Sequence, residues 1–210
     1  MTSTWDSTES FLRTCRTLTR ARGSPSAGDF PDATSISDIT ASDSIRLIKS
    51  FHAGVDVSGR PIEQATSFNI GCAFNIGAEN MDRELRVLER KVTAGADFIL
   101  TQPVYSAEAV EQARRRLGGF PTPVLLGILP LRSRRHAEFL HNEVPGINVT
   151  DEVMYKMRSA GKRAPEVGIE LCRELMRDVS GAVAGAYFMP RFGRYETVLE
   201  VLDGNELVGP

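Results

Sequence analysis

The chain has 210 residues, 41% of them hydrophobic and 25% charged, and a formal net charge of -2. That length suits one sizeable domain and is short for two, and the near-neutral balance gives a nucleic-acid partner no electrostatic support. Cys15, Cys72 and Cys172 form no CxxC pair, metal-ligand spacing or disulfide framework, and no apolar run approaches the roughly 20 residues of a membrane helix, so a soluble protein of the reducing cytoplasm is expected.

Residues 1–27 differ in composition from the rest. They are rich in Ser, Thr and Arg, with Asp6 and Glu9 the only acidic residues. They read as a disordered or atypical N-terminal extension, with a transit peptide as the competing reading. Phe11, Cys15 and Leu18 fall on one face of a weak helix over Ser10–Leu18. From residue 28 the pattern becomes regular, and 28–210 is read as one domain. Asp43 is expected to cap a helix through Ile45, Leu47, Ile48 and Phe51 that ends at Gly54.

A strand is then expected over Ser67–Phe74, a helix over Met81–Ala94 and a strand over Phe98–Gln102. A helix over Ala107–Leu117 precedes a strand over Pro123–Leu129. Three helices follow, over Arg134–Glu143, from Thr150-Asp151, and from Pro165-Glu166 to Val179. The last strand is Ala182–Met189, and Tyr195–Leu202 closes the pattern. Strands alternating with helices give a parallel α/β sheet. Four strands are half of the eight that a (β/α)8 barrel needs, so the pattern predicts a partial barrel, roughly its later half.

In such folds ligands meet the carboxyl ends of the strands. Those ends carry Phe74-Asn75, Gln102-Pro103-Val104-Tyr105, Pro130-Leu131-Arg132-Ser133-Arg134-Arg135 and Pro190-Arg191-Phe192-Gly193-Arg194-Tyr195. Amide, guanidinium and aromatic groups together suit a flat, partly anionic ligand. Each has a plainer reading. Gln102 can terminate a strand, the arginines can form a solvated helix face, and the stem of Lys91 can lie along apolar surface with Leu85 and Leu88. His52, His136 and His141 show no metal-binding spacing, so no metal is expected. No GxGxxG or P-loop is present.

Seven segments in order resemble the methylenetetrahydrofolate reductase family, and most resemble the reductase module of bacterial fusions with a homocysteine S-methyltransferase. They are Gly28–Ser35, Ile70–Asn75, Arg90–Phe98, Thr101–Tyr105, Gly127–Leu131, His141–Gly146 and Tyr187–Tyr195. The resemblance implies a flavin-binding barrel and an oxidoreductase. Hydride would pass from NAD(P)H to FAD and on to 5,10-methylenetetrahydrofolate, giving 5-methyltetrahydrofolate. By motif, Ala41, Asp43, Phe74 and Lys91 fall at FAD-side positions, Lys91 near the pyrophosphate. Gln102 matches the glutamine that meets the pterin or the nicotinamide amide. Arg194 matches an arginine on the folate side.

The resemblance also marks departures. The family's first strands, with the glutamate that acts as general acid and a histidine near the flavin, have no counterpart, so no catalytic residue is identified and the chain reads as N-terminally incomplete. Ser24 stands where the family has an aspartate. A half-barrel exposes strand edges, so a homo-oligomer or a partner that completes the barrel is expected. The alternative function is a catalytically incomplete remnant or interaction module of the same family. Another pterin- or phosphate-binding barrel enzyme is a third reading.

Overall fold

The computed structural model describes residues 17–19, 39–190 and 194–203, and the side chains of the last two segments. The rest of the N-terminal extension, Ser24, the Gly28–Ser35 segment and Arg191–Gly193 lie outside the described residues. The chain divides into two units, 1–72 with 87–98, and 73–86 with 99–210.

In the first unit, β1 (Thr17–Thr19) runs parallel to the start of β2 (Asn69–Phe74), pairing Thr17 with Asn69 and Thr19 with Gly71. This strand corrects the weak helix expected over Ser10–Leu18, at residues 17–18. Three residues are too few for a period-2 pattern to show. Helix α1 (Ala41–His52) starts earlier than expected. Its N-cap is Thr40, not Asp43. The Thr40 hydroxyl accepts from the Asp43 N–H at 3.2 Å, and the Asp43 carboxylate accepts from the Thr40 N–H at 3.1 Å, closing a capping box.

The two Thr40 hydrogen bonds, and then the Arg46 charge, hold the Asp43 carboxyl below its ordinary pKa. The box therefore contributes stability above the usual carboxylate range and loses it as pH falls through that range. Thr40→Ala is expected to cost about 1 kcal/mol in urea denaturation at neutral pH. The gap from wild type should narrow on acidification.

Helix α2 (Met81–Thr93) ends in a turn at Gly95, whose φ is +107°. A Cβ there would also lie 2.8 Å from Cε of Lys49. The Lys49 ammonium continues past that turn to Asp97, at 2.8 and 3.1 Å from its two carboxylate oxygens. Asp97 also accepts from the Ile70 N–H at 2.8 Å and donates its own N–H to the Ile70 carbonyl at 2.7 Å. One carboxylate thus ties the start of β2 to α1. His52 has a structural role, its Nε2 accepting from the Phe68 N–H at 3.0 Å.

The second unit holds most of β3 (Phe98–Pro103), α3 (Ala107–Arg116), β4 (Val124–Ile128), α4 (Arg134–Glu143), α5 (Asp151–Ser159), α6 (Ala164–Val179), β5 (Gly185–Phe188) and α7 (Glu196–Leu202). Strands β3, β4 and β5 pair parallel in that order. Ser106, Ser133 and Thr150 cap α3, α4 and α5 by accepting backbone N–H bonds through their hydroxyls. Leu131, Leu140, Ile147, Val149, Val153 and Met157 form a buried cluster with residues of α4, α5 and α6. Parallel strands alternating with helices are the α/β class read from the sequence, consistent with part of a (β/α)8 barrel.

Candidate functional site at the strand ends

Strand β3 carries a bulge at the position that the sequence singled out. Ile99 pairs with Val124 and Leu100 with Leu125, but the next pair is Pro103 with Gly127. Two residues, Thr101 and Gln102, therefore face one residue of β4. A bulge of this kind bends its strand and re-aims side chains. Thr101 is turned inward and is 2% exposed, while Gln102 is exposed.

Three groups hold the bulge. The Thr101 hydroxyl accepts from the Gly127 N–H at 2.9 Å, replacing the ladder bond that the extra residue interrupts. The same hydroxyl donates to the Gln102 carbonyl at 2.8 Å. The Tyr187 hydroxyl, from β5, donates to the Thr101 carbonyl. To do so it passes over Gly127, its partner in the ladder. A Cβ on Gly127 would sit 2.9 Å from the Thr101 carbonyl oxygen and 3.0 Å from the Tyr187 hydroxyl. Beyond the bulge the Val104 N–H reaches the Gly127 carbonyl at 3.2 Å and the ladder resumes.

The neighbouring strand ends are built differently. Phe74 is 0% exposed, so its ring presents no face to a ligand, and the exposed residue beside it is Ala73. Asn75 forms a turn clamp. Its N–H donates to Glu84 at 3.0 Å, and its Oδ1 accepts from the Gly77 N–H at 3.0 Å. After β3, the Tyr105 hydroxyl donates to the Leu129 carbonyl at 2.9 Å. Burial, with a smaller effect from Cys172, pushes the Tyr105 pKa far up, and burial pushes the Cys172 thiol up to about 12. Both groups stay protonated and serve packing.

After β4, Arg132 is half-buried and Arg135 exposed, and Arg134 pairs with Glu138 at 2.6 Å. The solvated-face reading therefore describes Arg134. After β5, Arg194 is exposed. A cavity of about 330 Å³ lies between residues 76–78, residues 103–106 and α3, and another of about 390 Å³ lies by Tyr105 and Cys172. Gln102 lines neither.

The remaining sequence-predicted positions belong to the first unit. Ala41 and Asp43 lie in the first turn of α1. Lys91 is 8% exposed in the last turn of α2, about 15 Å along the helix axis from its first residue. Sequence reasoning singled out Gln102 but not Thr101, Gly127 and Tyr187, which hold the bulge beside it. Each was quoted in a motif, yet none carries a local signal that distinguishes it from an ordinary strand residue.

The family model for methylenetetrahydrofolate reductase matches residues 14–203. The probable methylenetetrahydrofolate reductase (NADPH) of Caenorhabditis elegans is 28% identical over 190 residues, which cover 83% of this chain and 27% of the worm protein. An uncharacterized protein from Clostridium thermocellum, which binds two copies of 5-methyl-5,6,7,8-tetrahydrofolic acid, superposes with a TM-score of 0.50 at 16% identity. That alignment covers 79% of this chain and 57% of the clostridial one, and the likeness is one of fold. The chain thus spans about a quarter of its curated relative and just over half of its structural one.

Proposed function

The chain belongs to the methylenetetrahydrofolate reductase family, and from that premise we propose that it acts in the reduction of 5,10-methylenetetrahydrofolate to 5-methyltetrahydrofolate, with Gln102 and Arg194 on the folate side. The observation that carries the proposal is the exposed Gln102 amide on a bulged strand end. A primary amide offers one acceptor oxygen and two donor hydrogens. That set complements the mixed donors and acceptors along a pterin edge, and equally the carboxamide of a nicotinamide. The exposed Arg194 guanidinium suits the carboxylates of a folate tail. The clostridial neighbour gives the fold a folate-binding precedent.

In the family reaction FAD, when bound, supplies the hydride that NAD(P)H delivers. Taken one by one, the residues that the resemblance sets against FAD do not suit it. Asp43 brings negative charge to a helix N-terminus, and both its carboxylate oxygens already accept hydrogen bonds from Thr40 and Arg46. The Phe74 ring is covered, and Lys91 is buried in a last helical turn. The chemistry assigned to this chain's own residues is therefore recognition and orientation of the substrate.

That mismatch favours a second reading, a folate-binding member of the family with no flavin chemistry of its own. Adding FAD to the purified chain and assaying NAD(P)H-dependent reduction of an artificial acceptor separates the two. The reductase reading expects visible flavin absorbance that stays with the protein on gel filtration, together with acceptor reduction. A colourless protein with no acceptor reduction would leave folate binding alone.

A further inference from the structure

The bulge at Thr101–Gln102 needs a reason. An extra residue in a parallel ladder leaves backbone groups without their regular partners, and buried groups of that kind cost free energy unless another donor or acceptor reaches them. Here side chains take over two of those groups. The Thr101 side chain takes over the Gly127 N–H at 2.9 Å, and the Tyr187 hydroxyl takes over the Thr101 carbonyl. The Thr101 hydroxyl proton is spent on the Gln102 carbonyl at 2.8 Å. An ordinary strand would need none of this.

What the arrangement yields is one exposed amide at a strand's carboxyl end, with its own main chain bonded on both sides. The carbonyl before the Gln102 nitrogen is held by Tyr187, and the Gln102 carbonyl is held by Thr101. Gly127 supplies the gap through which the tyrosine reaches. Burial raises the Tyr187 pKa, which keeps its hydroxyl a donor.

We propose that Thr101, Gly127 and Tyr187 form a clamp that fixes the Gln102 main chain, making Thr101 and Tyr187 positioning residues for whatever the Gln102 amide recognises. That this ligand is a pterin rests on the folate reading above. Neither side chain needs to touch the ligand. Their effect passes through the placement of Gln102, because a side chain rooted on a fixed main chain gives up less freedom on binding than one on a mobile strand end. The hydroxyl is the operative part of each residue. A serine at 101 can accept and donate in the same way, whereas valine, of nearly the same shape, can do neither.

The test uses the full chain and two readouts. The first is the backbone N–H order parameter of Gln102 from NMR relaxation. In Tyr187→Phe and Thr101→Val it should fall toward the value of a mobile strand end, while Thr101→Ser should keep it near the wild-type value. The second is titration with 5-methyltetrahydrofolate. Tyr187→Phe should weaken binding by about 5- to 10-fold, the scale of one hydrogen bond's net contribution. The double variant Tyr187→Phe/Gln102→Ala should bind no more weakly than Gln102→Ala alone, since the tyrosine acts through the glutamine.

An unchanged Gln102 backbone order parameter in both Tyr187→Phe and Thr101→Val would overturn the clamp. So would fully additive losses in the double variant. If Gln102→Ala itself leaves binding unchanged, the folate reading of Gln102 falls, and the backbone order parameter still decides whether the clamp exists.

Discussion

Gly168→Ala is expected to destabilise the protein by about 3 kcal/mol or more, against a usual helix-propensity gain of about 1 kcal/mol for this substitution. The sign is set by one contact. Gly168 lies inside α6, and a Cβ there would overlap the Leu131 carbonyl oxygen and sit 2.8 Å from the carbonyl carbon. The obstacle is main chain, so no rotamer change relieves it. Leu131 is itself 1% exposed and seated in the buried cluster with residues of α4, α5 and α6. The helix and the loop must therefore separate, opening apolar surface around Leu131. Gly181, with open space around its hypothetical Cβ, supplies the control. Gly181→Ala should stay within about 0.5 kcal/mol of wild type. Chemical denaturation of both variants decides the matter, and a neutral Gly168→Ala would contradict the packing of α6 against that loop.

The consequence reaches the strand ends. The Leu131 loop follows β4 and carries Arg132 and the Ser133 cap of α4. A shift of this loop moves the groups beside the β4 end together with the helix behind them. Gly168→Ala should thus weaken ligand recognition as well as stability.

Much of the local structure was legible in the sequence. Arg134–Glu143 is a helix over the residues that its periodicity predicted, and the expected strand through Phe98-Ile99-Leu100 runs from Phe98. Both carry strong local patterns. Gly95 was readable as a helix-ending turn, because a tight reversal favours glycine. The α1 start was misjudged by three residues, since a Thr-x-x-Asp box offers two polar residues that can each pass for the cap. Strand β1 was missed because three residues carry no measurable alternation.

The site was legible only in part. Gln102 stood out as an amide ending an apolar run. The bulge beneath it depends on the β3–β4 register, a non-local fact. The Tyr187 hydroxyl meets a carbonyl 86 residues earlier in the chain, and nothing near Tyr187 announces that partner. The contact at Gly168 is equally remote from its own segment. Local patterns name the element, and tertiary register decides what each side chain does.

The second large effect is on binding. Gln102→Ala removes both ends of the amide from an exposed strand tip that the fold goes to some length to hold. A pterin edge facing this position would lose one or two hydrogen bonds. The expected cost is a weakening of about 5- to 30-fold. The fold should be untouched, because Gln102 is exposed and its carbonyl bond to Thr101 is main chain on the glutamine side. Equal denaturation midpoints for Gln102→Ala and wild type would separate this loss from a folding defect.

The most direct measurement is calorimetric or fluorescence titration of the full wild-type chain and of Gln102→Ala with 5-methyltetrahydrofolate. Folate recognition at the bulged end of β3 predicts saturable binding to wild type, weakened by about 5- to 30-fold in the variant at unchanged stability. No saturable binding to wild type, or identical affinities for the two proteins, would contradict it.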